Sequence, residues 1–304
     1  MLAVVNEGAS GMTKSAEETR ATPTARRMAR DHDVRLDSVS GSGPAGRVMK
    51  QDVQNALGRH ASLPPTGTSG THGRTEERVR MSKQQAIARR MVEAQSTAAM
   101  LTTFDEIDMT TVMALRERRK KAFEKQFGIG LGIASFFVKA SIAALRTVPQ
   151  LNAEIQGDEI VLKQYYDIGM AVAAEGGLVV PVLRDADAMS FFEIEFAVRD
   201  YAGRAADGTL ALKDLKGGTF TITNGGVFGS LMSTQILNPP QVGILGLHKL
   251  EDRVVPAGGQ IAIRPMMYVA LTYDHRIVHD REAVQFLVKV KDYVEHPGHL
   301  LLES

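Results

Sequence analysis

The chain has 304 residues, 44% of them hydrophobic, and a formal net charge of +1, so it can bury a sizeable core in more than one domain. Its even charge balance gives no global case for nucleic acid or an acidic membrane surface. With no cysteine, disulfides, thiolate nucleophiles and cysteine-ligated zinc are excluded, and any thiol chemistry must act on thiols that substrates bring.

Residues 1–8 read as one short strand followed by the polar run Ala9 to Arg20, and a lone strand cannot bury its own edges. The first 20 residues lack the apolar block of a secretory signal, and no run of about 18 apolar residues spans a bilayer. A cytosolic setting without membrane contact is favoured. Residues 21–57 form a compact unit: Thr22-Pro23 supplies an N-cap and an N1 proline, predicting a helix from Pro23 to about Arg30. A loop over Ser40 to Gly46 then leads to a second helix from Lys50 to Leu57.

Between Arg20 and Arg59 eight arginines and lysines face four aspartates. No aromatic residue accompanies them, so base stacking is unsupported and an acidic protein surface is the better partner. A Pro, Gly, Ser and Thr linker over residues 58–77 separates this unit from a single domain at 78–304.

In that domain Ser82 and Gln85 make a capping box, and Ile87, Met91, Ala94 and Ala98 mark one helix face. A strand over Leu101 to Met109 is followed by a helix from Thr111 to Phe127. Five of the six residues from Arg116 to Lys121 are basic, a solvated face or a phosphate contact. Another helix covers Ser135 to Arg146, stopped before Pro149. Asp167 to Ala174 and Leu178 to Leu183 form a hairpin around Glu175-Gly176-Gly177, and Phe191 to Arg204 is helical by period.

Strands are expected over Thr219 to Thr223, Val242 to Leu247 and Ile261 to Tyr273. A last helix starts near Arg281, with Asp280 at its N-cap and Ala283, Val284, Leu287, Val290 and Val294 on its apolar side. Helices and strands interleave without a regular βαβ repeat. The fold class is α+β, a mixed sandwich with a largely antiparallel sheet.

Two stretches carry chemistry. Asp274-His275-Arg276 follows the apolar run Met266 to Tyr273, so His275 leaves a strand where rigid scaffold holds it within reach of a ligand. Imidazole can take a proton from a thiol or hydroxyl near neutral pH and return it. Thr223 ends its strand beside Asn224-Gly225-Gly226, where a hydroxyl can stabilise a developing oxyanion. Nucleotide loops, H-E-x-x-H and G-x-S-x-G are absent, and His248, His296 and His299 show no ligand spacing, so no metal is expected.

The segments LTTFDEIDMTTVMALR, GLVVPVLRDAD, TFTITNGGVFGSLMSTQILNPPQ and MMYVALTYDHR resemble the catalytic core of the dihydrolipoamide acyltransferases of 2-oxoacid dehydrogenase complexes. They are closer to the succinyltransferase branch than to the acetyltransferase one. Residues 22–56 resemble the family's peripheral subunit-binding domain. The resemblance implies a fold like chloramphenicol acetyltransferase and a hollow core of 24 or 60 subunits built from homotrimers. It implies an active-site channel between subunits, with coenzyme A and a lipoyl group as substrates.

By the same resemblance His275 is the general base and Thr223 the oxyanion donor. Arg26 and Arg47 would meet acidic groups of dihydrolipoyl dehydrogenase or the decarboxylase.

Three departures stand out. The family pattern Asp-His-Arg-x-x-Asp-Gly ends here in His279-Asp280, so the carboxylate four residues after the histidine is replaced. Gln235 stands where proline is usual. MLAVVNEGA resembles the last strand of a lipoyl domain, and no Asp-Lys-Ala or Asp-Lys-Val site is present, so no lipoyl group is expected on this chain: it acts on free dihydrolipoamide or on arms from other chains, or the sequence is a fragment or has a misassigned start. A helix cap is the more economical account of Asp280 than a swing into the carboxylate's role, and the imidazole can be held by its own backbone, so two readings stay open: a working succinyltransferase, and a structural scaffold silenced by His279.

Overall fold

The structure, a computed structural model, describes residues 20–32, 34–60, 84–174 and 177–301. The strand expected over residues 1–8, the linker at 61–77, the capping serine Ser82 and the turn pair Glu175-Gly176 lie outside them. The chain divides into two compact units, Met1–Val79 and Arg80–Ser304.

In the first unit, helix α1 spans Pro23–Asp31. Thr22 caps it as expected, its hydroxyl accepting the Ala25 N–H at 3.3 Å. Helix α2 spans Lys50–His60, three residues beyond its expected end. Asp52, in its first turn, accepts the backbone N–H groups of Ser42 and Met49 at 2.9 and 2.8 Å, which ties the intervening loop to the helix. Those two N–H groups hold its carboxyl below the usual aspartate range. Ala25, Ala29, Val39, Val48 and Val53 make a core of five small side chains. A parallel bridge joins Ala21 to Val48.

The second unit begins with helix α3, Gln84–Thr97, on which Ala94 is buried while Ile87 and Met91 are exposed. Strand β1 (Met100–Asp108) leads to α4 (Thr110–Phe127), which ends at Gly128 in the left-handed conformation, φ 71°. Helix α5, Ala134–Thr147, is buried along most of its length.

A hairpin of β2 (Ala153–Gln156) and β3 (Glu159–Leu162) follows, unexpected from the sequence because its strands are four residues long and largely solvated. The expected glycine hairpin is split into β4 (Ile168–Met170), β5 (Val172–Ala174), β6 (Gly177–Val179) and β7 (Val182–Leu183). Helix α6, Phe191–Ala206, starts at a complete capping box of Ser190 and Glu193. Glu195 from this helix caps α5, accepting the Ser135 N–H at 3.0 Å and its hydroxyl at 2.6 Å.

Strand β8 (Phe220–Asn224) precedes the two 15-residue strands β9 (Gly243–Ala257) and β10 (Gln260–Asp274). Gly258 and Gly259, at φ 58° and 78°, make the two-residue turn between them. The six-stranded sheet runs β1-β10-β9-β8-β4-β7. It is antiparallel at β1/β10, β10/β9 and β4/β7, and parallel where β8 joins β9 and β4.

Helix α7, Asp280–Glu295, buries Ala283, Phe286, Leu287, Val290, Tyr293 and Val294. Val284 is exposed, because at about 100° per residue it falls beside the buried stripe. Its N-cap is His279, one residue earlier than expected. Asp280 therefore has helical backbone geometry, and its carboxylate is directed elsewhere.

Candidate active site

The sheet delivers His275. Tyr273 and Asp274 are the last residues of β10, and both are buried. The Asp274 carboxylate accepts the Arg276 guanidinium at 2.6 and 3.0 Å and the N–H groups of Arg276 and Ala99 at 3.1 and 3.3 Å. Burial pushes this carboxyl up, but its bonds to Arg276, the guanidinium charge and the Ala99 N–H outweigh it and hold it below the usual aspartate range. Its main-chain carbonyl accepts Ile277 and Val278, closing the turn before α7, while the His275 N–H donates to Ala99 at 2.8 Å. The backbone on either side of the imidazole is thus fixed, and Asp274 pairs with Arg276 rather than with His275.

The His275 side chain is 38% exposed. Its Nε2 lies 3.2 Å from Asp280 Oδ1, the same oxygen that accepts the Tyr273 hydroxyl at 2.8 Å. Burial, then the bond to Asp280 and its charge, push the Tyr273 phenol far above its ordinary value, so it stays a donor. Nδ1 has no hydrogen-bond partner among the described residues. The His279 ring stands edge-on to that of His275, centroids 5.6 Å apart. A carboxylate at one imidazole nitrogen and an open second nitrogen is the arrangement of a histidine base. Tyr273, which sequence reasoning passed over as a core residue, joins the group because its hydroxyl emerges at the strand end.

Thr223 is half-buried near the end of β8, and its hydroxyl has no hydrogen-bond partner among the described residues. It is not beside His275. Thr223 pairs with Gly246 on β9, Gly246 pairs with Ala270 on β10, and His275 is five residues further along. At about 3.3 Å per residue and 4.8 Å per strand, the two are roughly 19 Å apart within one chain.

Gln235 turns out to be close to the Thr223 strand end. Its amide packs over Gly246, where a Cβ would have to displace it, and its Oε1 is buried without a partner among the described residues.

His248 is a structural residue. Its Nε2 accepts the Ser233 N–H at 2.9 Å, so Nδ1 carries the proton that Tyr268 accepts at 3.1 Å. His296 and His299, by contrast, are drawn together around Asp292 at the far end of α7, which sequence spacing does not reveal. Arg116 donates to the Leu131 carbonyl at 2.7 Å, while Arg118 to Lys121 form an exposed basic face. A cavity of about 280 Å³ lined by Leu115, Phe123, Leu131, Phe136 and Phe191 contains neither His275 nor Thr223.

In the first unit Arg26 and Arg47 are exposed, with no ion-pair partner among the described residues. Arg47 precedes Val48, whose carbonyl accepts the Thr22 N–H, and Arg26 is one helical turn beyond Thr22. Among the described residues no helix is long and apolar enough to cross a membrane.

Two family models match the chain: 2-oxoacid dehydrogenases acyltransferase (catalytic domain) over residues 73–302, and the e3 binding domain over residues 19–54. The dihydrolipoyllysine-residue succinyltransferase component of the 2-oxoglutarate dehydrogenase complex of Rickettsia bellii is 52% identical over 283 residues, covering 92% of this chain and 71% of the relative. Its Bacillus subtilis counterpart is 52% identical over 297 residues, covering 94% and 71%.

Among solved structures, the cubic core of the pyruvate dehydrogenase multienzyme complex matches with a TM-score of 0.72 at 28% identity, over 79% of this chain and all of that one. A dihydrolipoamide acetyltransferase of Azotobacter vinelandii matches equally well. That protein was investigated for the roles in catalysis of a serine, a histidine and an asparagine four positions after the histidine. The chain belongs to the 2-oxoacid dehydrogenase acyltransferase family.

Proposed function

We propose that the chain is a dihydrolipoamide S-succinyltransferase, moving a succinyl group between dihydrolipoamide and coenzyme A. Its relatives' activity supports the substrate pair, and the absence of cysteine fits a reaction whose two thiols both come with substrates. The observation that carries the mechanism is the His275 corner: one nitrogen against Asp280, the other open.

His275 takes the proton from the attacking thiol of coenzyme A, and the sulfur adds to the thioester carbonyl of succinyl-dihydrolipoamide. The Thr223 hydroxyl donates to the tetrahedral oxyanion, an interaction worth about 3–4 kcal/mol in comparable sites. When the intermediate collapses, the carbon–sulfur bond to dihydrolipoamide breaks, and the imidazolium returns its proton to the departing sulfur. Succinyl-CoA and dihydrolipoamide leave, and the enzyme is unchanged.

The sheet register supports a site completed by a second copy, His275 from one chain facing Thr223 from the next. Exposed Val227, Phe228, Leu231 and Met232 just beyond Thr223, and Val254, Ile261 and Ile263 at the β9–β10 turn, suit faces that other copies cover. The assembly is a homotrimer-based core.

Asp280 is the orienting carboxylate, one residue later than in the family, and His279 holds the former carboxylate position at the N-cap of α7 without a side-chain capping bond. The layout is a peripheral subunit-binding domain from 21 to the end of α2 at His60, then a linker to 77, then a catalytic domain at 78–304. Arg26 and Arg47 meet dihydrolipoyl dehydrogenase or the decarboxylase, and the bacterial relatives support a cytoplasmic setting.

The test is turnover of succinyl-CoA with free dihydrolipoamide, beside His275→Ala. Activity that disappears in the variant supports the transferase. An inactive but folded and oligomeric native chain moves the reading to a scaffold.

A further inference from the structure

Helix α7 ends at Glu295, with His296 as its C-cap, and the chain makes a short turn over Pro297–Leu301. The Asp292 carbonyl accepts the His296 N–H at 2.8 Å, and the His296 carbonyl accepts that of His299 at 2.9 Å. Asp292 and His296 are one helical turn apart, and the added turn brings His299 back over the same face. His296 Nδ1 lies 3.3 Å from Asp292 Oδ1, and His299 Nδ1 lies 3.1 Å from Asp292 Oδ2. The two rings are stacked with centroids 5.3 Å apart.

We propose that Asp292, His296 and His299 form a binding site for a divalent transition-metal ion of the zinc class. Metal bonds to imidazole nitrogen and carboxylate oxygen are about 2.0–2.2 Å long, which puts neighbouring donors roughly 2.9–3.5 Å apart around the ion. The two nitrogen–oxygen separations, one to each oxygen of the carboxylate, fall in that range, and one donor atom from each of the three residues lies within 4.8 Å of the other two. Two imidazoles and one carboxylate suit zinc, cobalt or nickel, whereas magnesium and calcium take oxygen donors.

All three side chains keep a solvent-facing side, which leaves room for water on the ion. The ion would bolt the Pro297–Leu301 turn to the end of α7, independently of the acyl-transfer site at the other end.

The rival account is that the two histidines, when protonated, are simply cations paired with Asp292 at a helix C-terminus. Metal titration of the full chain decides between them. The chain, purified without a polyhistidine tag and stripped with a chelator, is titrated with zinc by calorimetry and with cobalt by visible absorption. One saturable ion per chain is expected, with cobalt bands showing nitrogen ligation.

His296→Ala, His299→Ala and the milder His299→Gln should each weaken binding by more than the roughly 10–100-fold that loss of an outer-shell partner costs. Their transferase activity and helical circular dichroism should stay unchanged. His275→Ala and His279→Ala should bind zinc like the native chain. No saturable binding, or binding that survives at full strength in His296→Ala and His299→Ala, would overturn the proposal.

Discussion

Two histidines and an aspartate gather at each end of helix α7, yet the two ends are held very differently. At the N-terminal end the backbone of His275 is clamped to Ala99, Asp274 is bonded to Arg276, and the buried Tyr273 hydroxyl holds Asp280 against the imidazole. At the C-terminal end Asp292, His296 and His299 have helix on one side and solvent on the other. The same residue types acquire directional chemistry where a sheet end fixes them. Where only a helix end gathers them, they are a set of donors open to whatever binds.

The largest effect that tests this contrast is loss of the base. His275→Ala should lower kcat by about 10²–10⁴, while His299→Ala should leave it unchanged. Thr223→Ala should cost about 10²–10³, with the oligomer intact by size-exclusion chromatography. Refolding the two inactive chains together in equal amounts should regenerate activity, because random pairing leaves about a quarter of the interfaces with both residues native. A mixture as inactive as its components would place both residues in one chain's site.

Next comes the carboxylate. Asp280→Ala should reduce kcat/KM by about 10–100-fold, less than the ~10⁴ of a triad aspartate, because the His275 backbone is anchored independently of Asp280. Tyr273→Phe removes one hydrogen bond worth about 1 kcal/mol, or roughly fivefold in rate. In the double variant the two losses should not add, since both act through the direction of one carboxylate. Additive losses would mean that Tyr273 affects activity only through packing.

Much of this corner was legible in the sequence, and the parts that were not have physical causes. An apolar run ending at a charged triplet locates His275, because a buried strand gives way to solvent where its apolar residues stop. The role of Asp280 was hidden by a single helix position: it lies at N1 and not at the N-cap, and from N1 its carboxylate faces the end of β10. Thr223 could be placed at a strand end, although its distance from His275 depends on strand order that no local pattern encodes. The α5 cap was invisible because Glu195 is 60 residues from Ser135. The His296–His299 meeting depends on a C-cap geometry that spacing does not specify.

Asp274 should show the contrast as stability. Its carboxyl is held low in the folded chain, so its contribution is complete above the ordinary aspartate value of about 4 and is lost as pH falls through the lowered folded value. The Tm gap between the native chain and Asp274→Asn should therefore be wide at pH 7 and close in acid. A gap that stays constant would show that geometry, not charge, anchors the turn.

The smallest effect is expected from restoring the family pair. In His279→Asp with Asp280→Gly, the carboxylate returns to the N-cap, where capping of α7 is worth about 1 kcal/mol. That gain is offset because the buried Tyr273 hydroxyl loses its acceptor, at about 1–3 kcal/mol, and glycine enters the first helical turn. Activity should stay within roughly tenfold of native, since one carboxylate replaces another beside the same imidazole. A rise of a hundredfold or more would instead show that His279 had silenced the site and that Asp280 never orients His275. The N-terminal end of α7 would then be no more a catalytic arrangement than the C-terminal one.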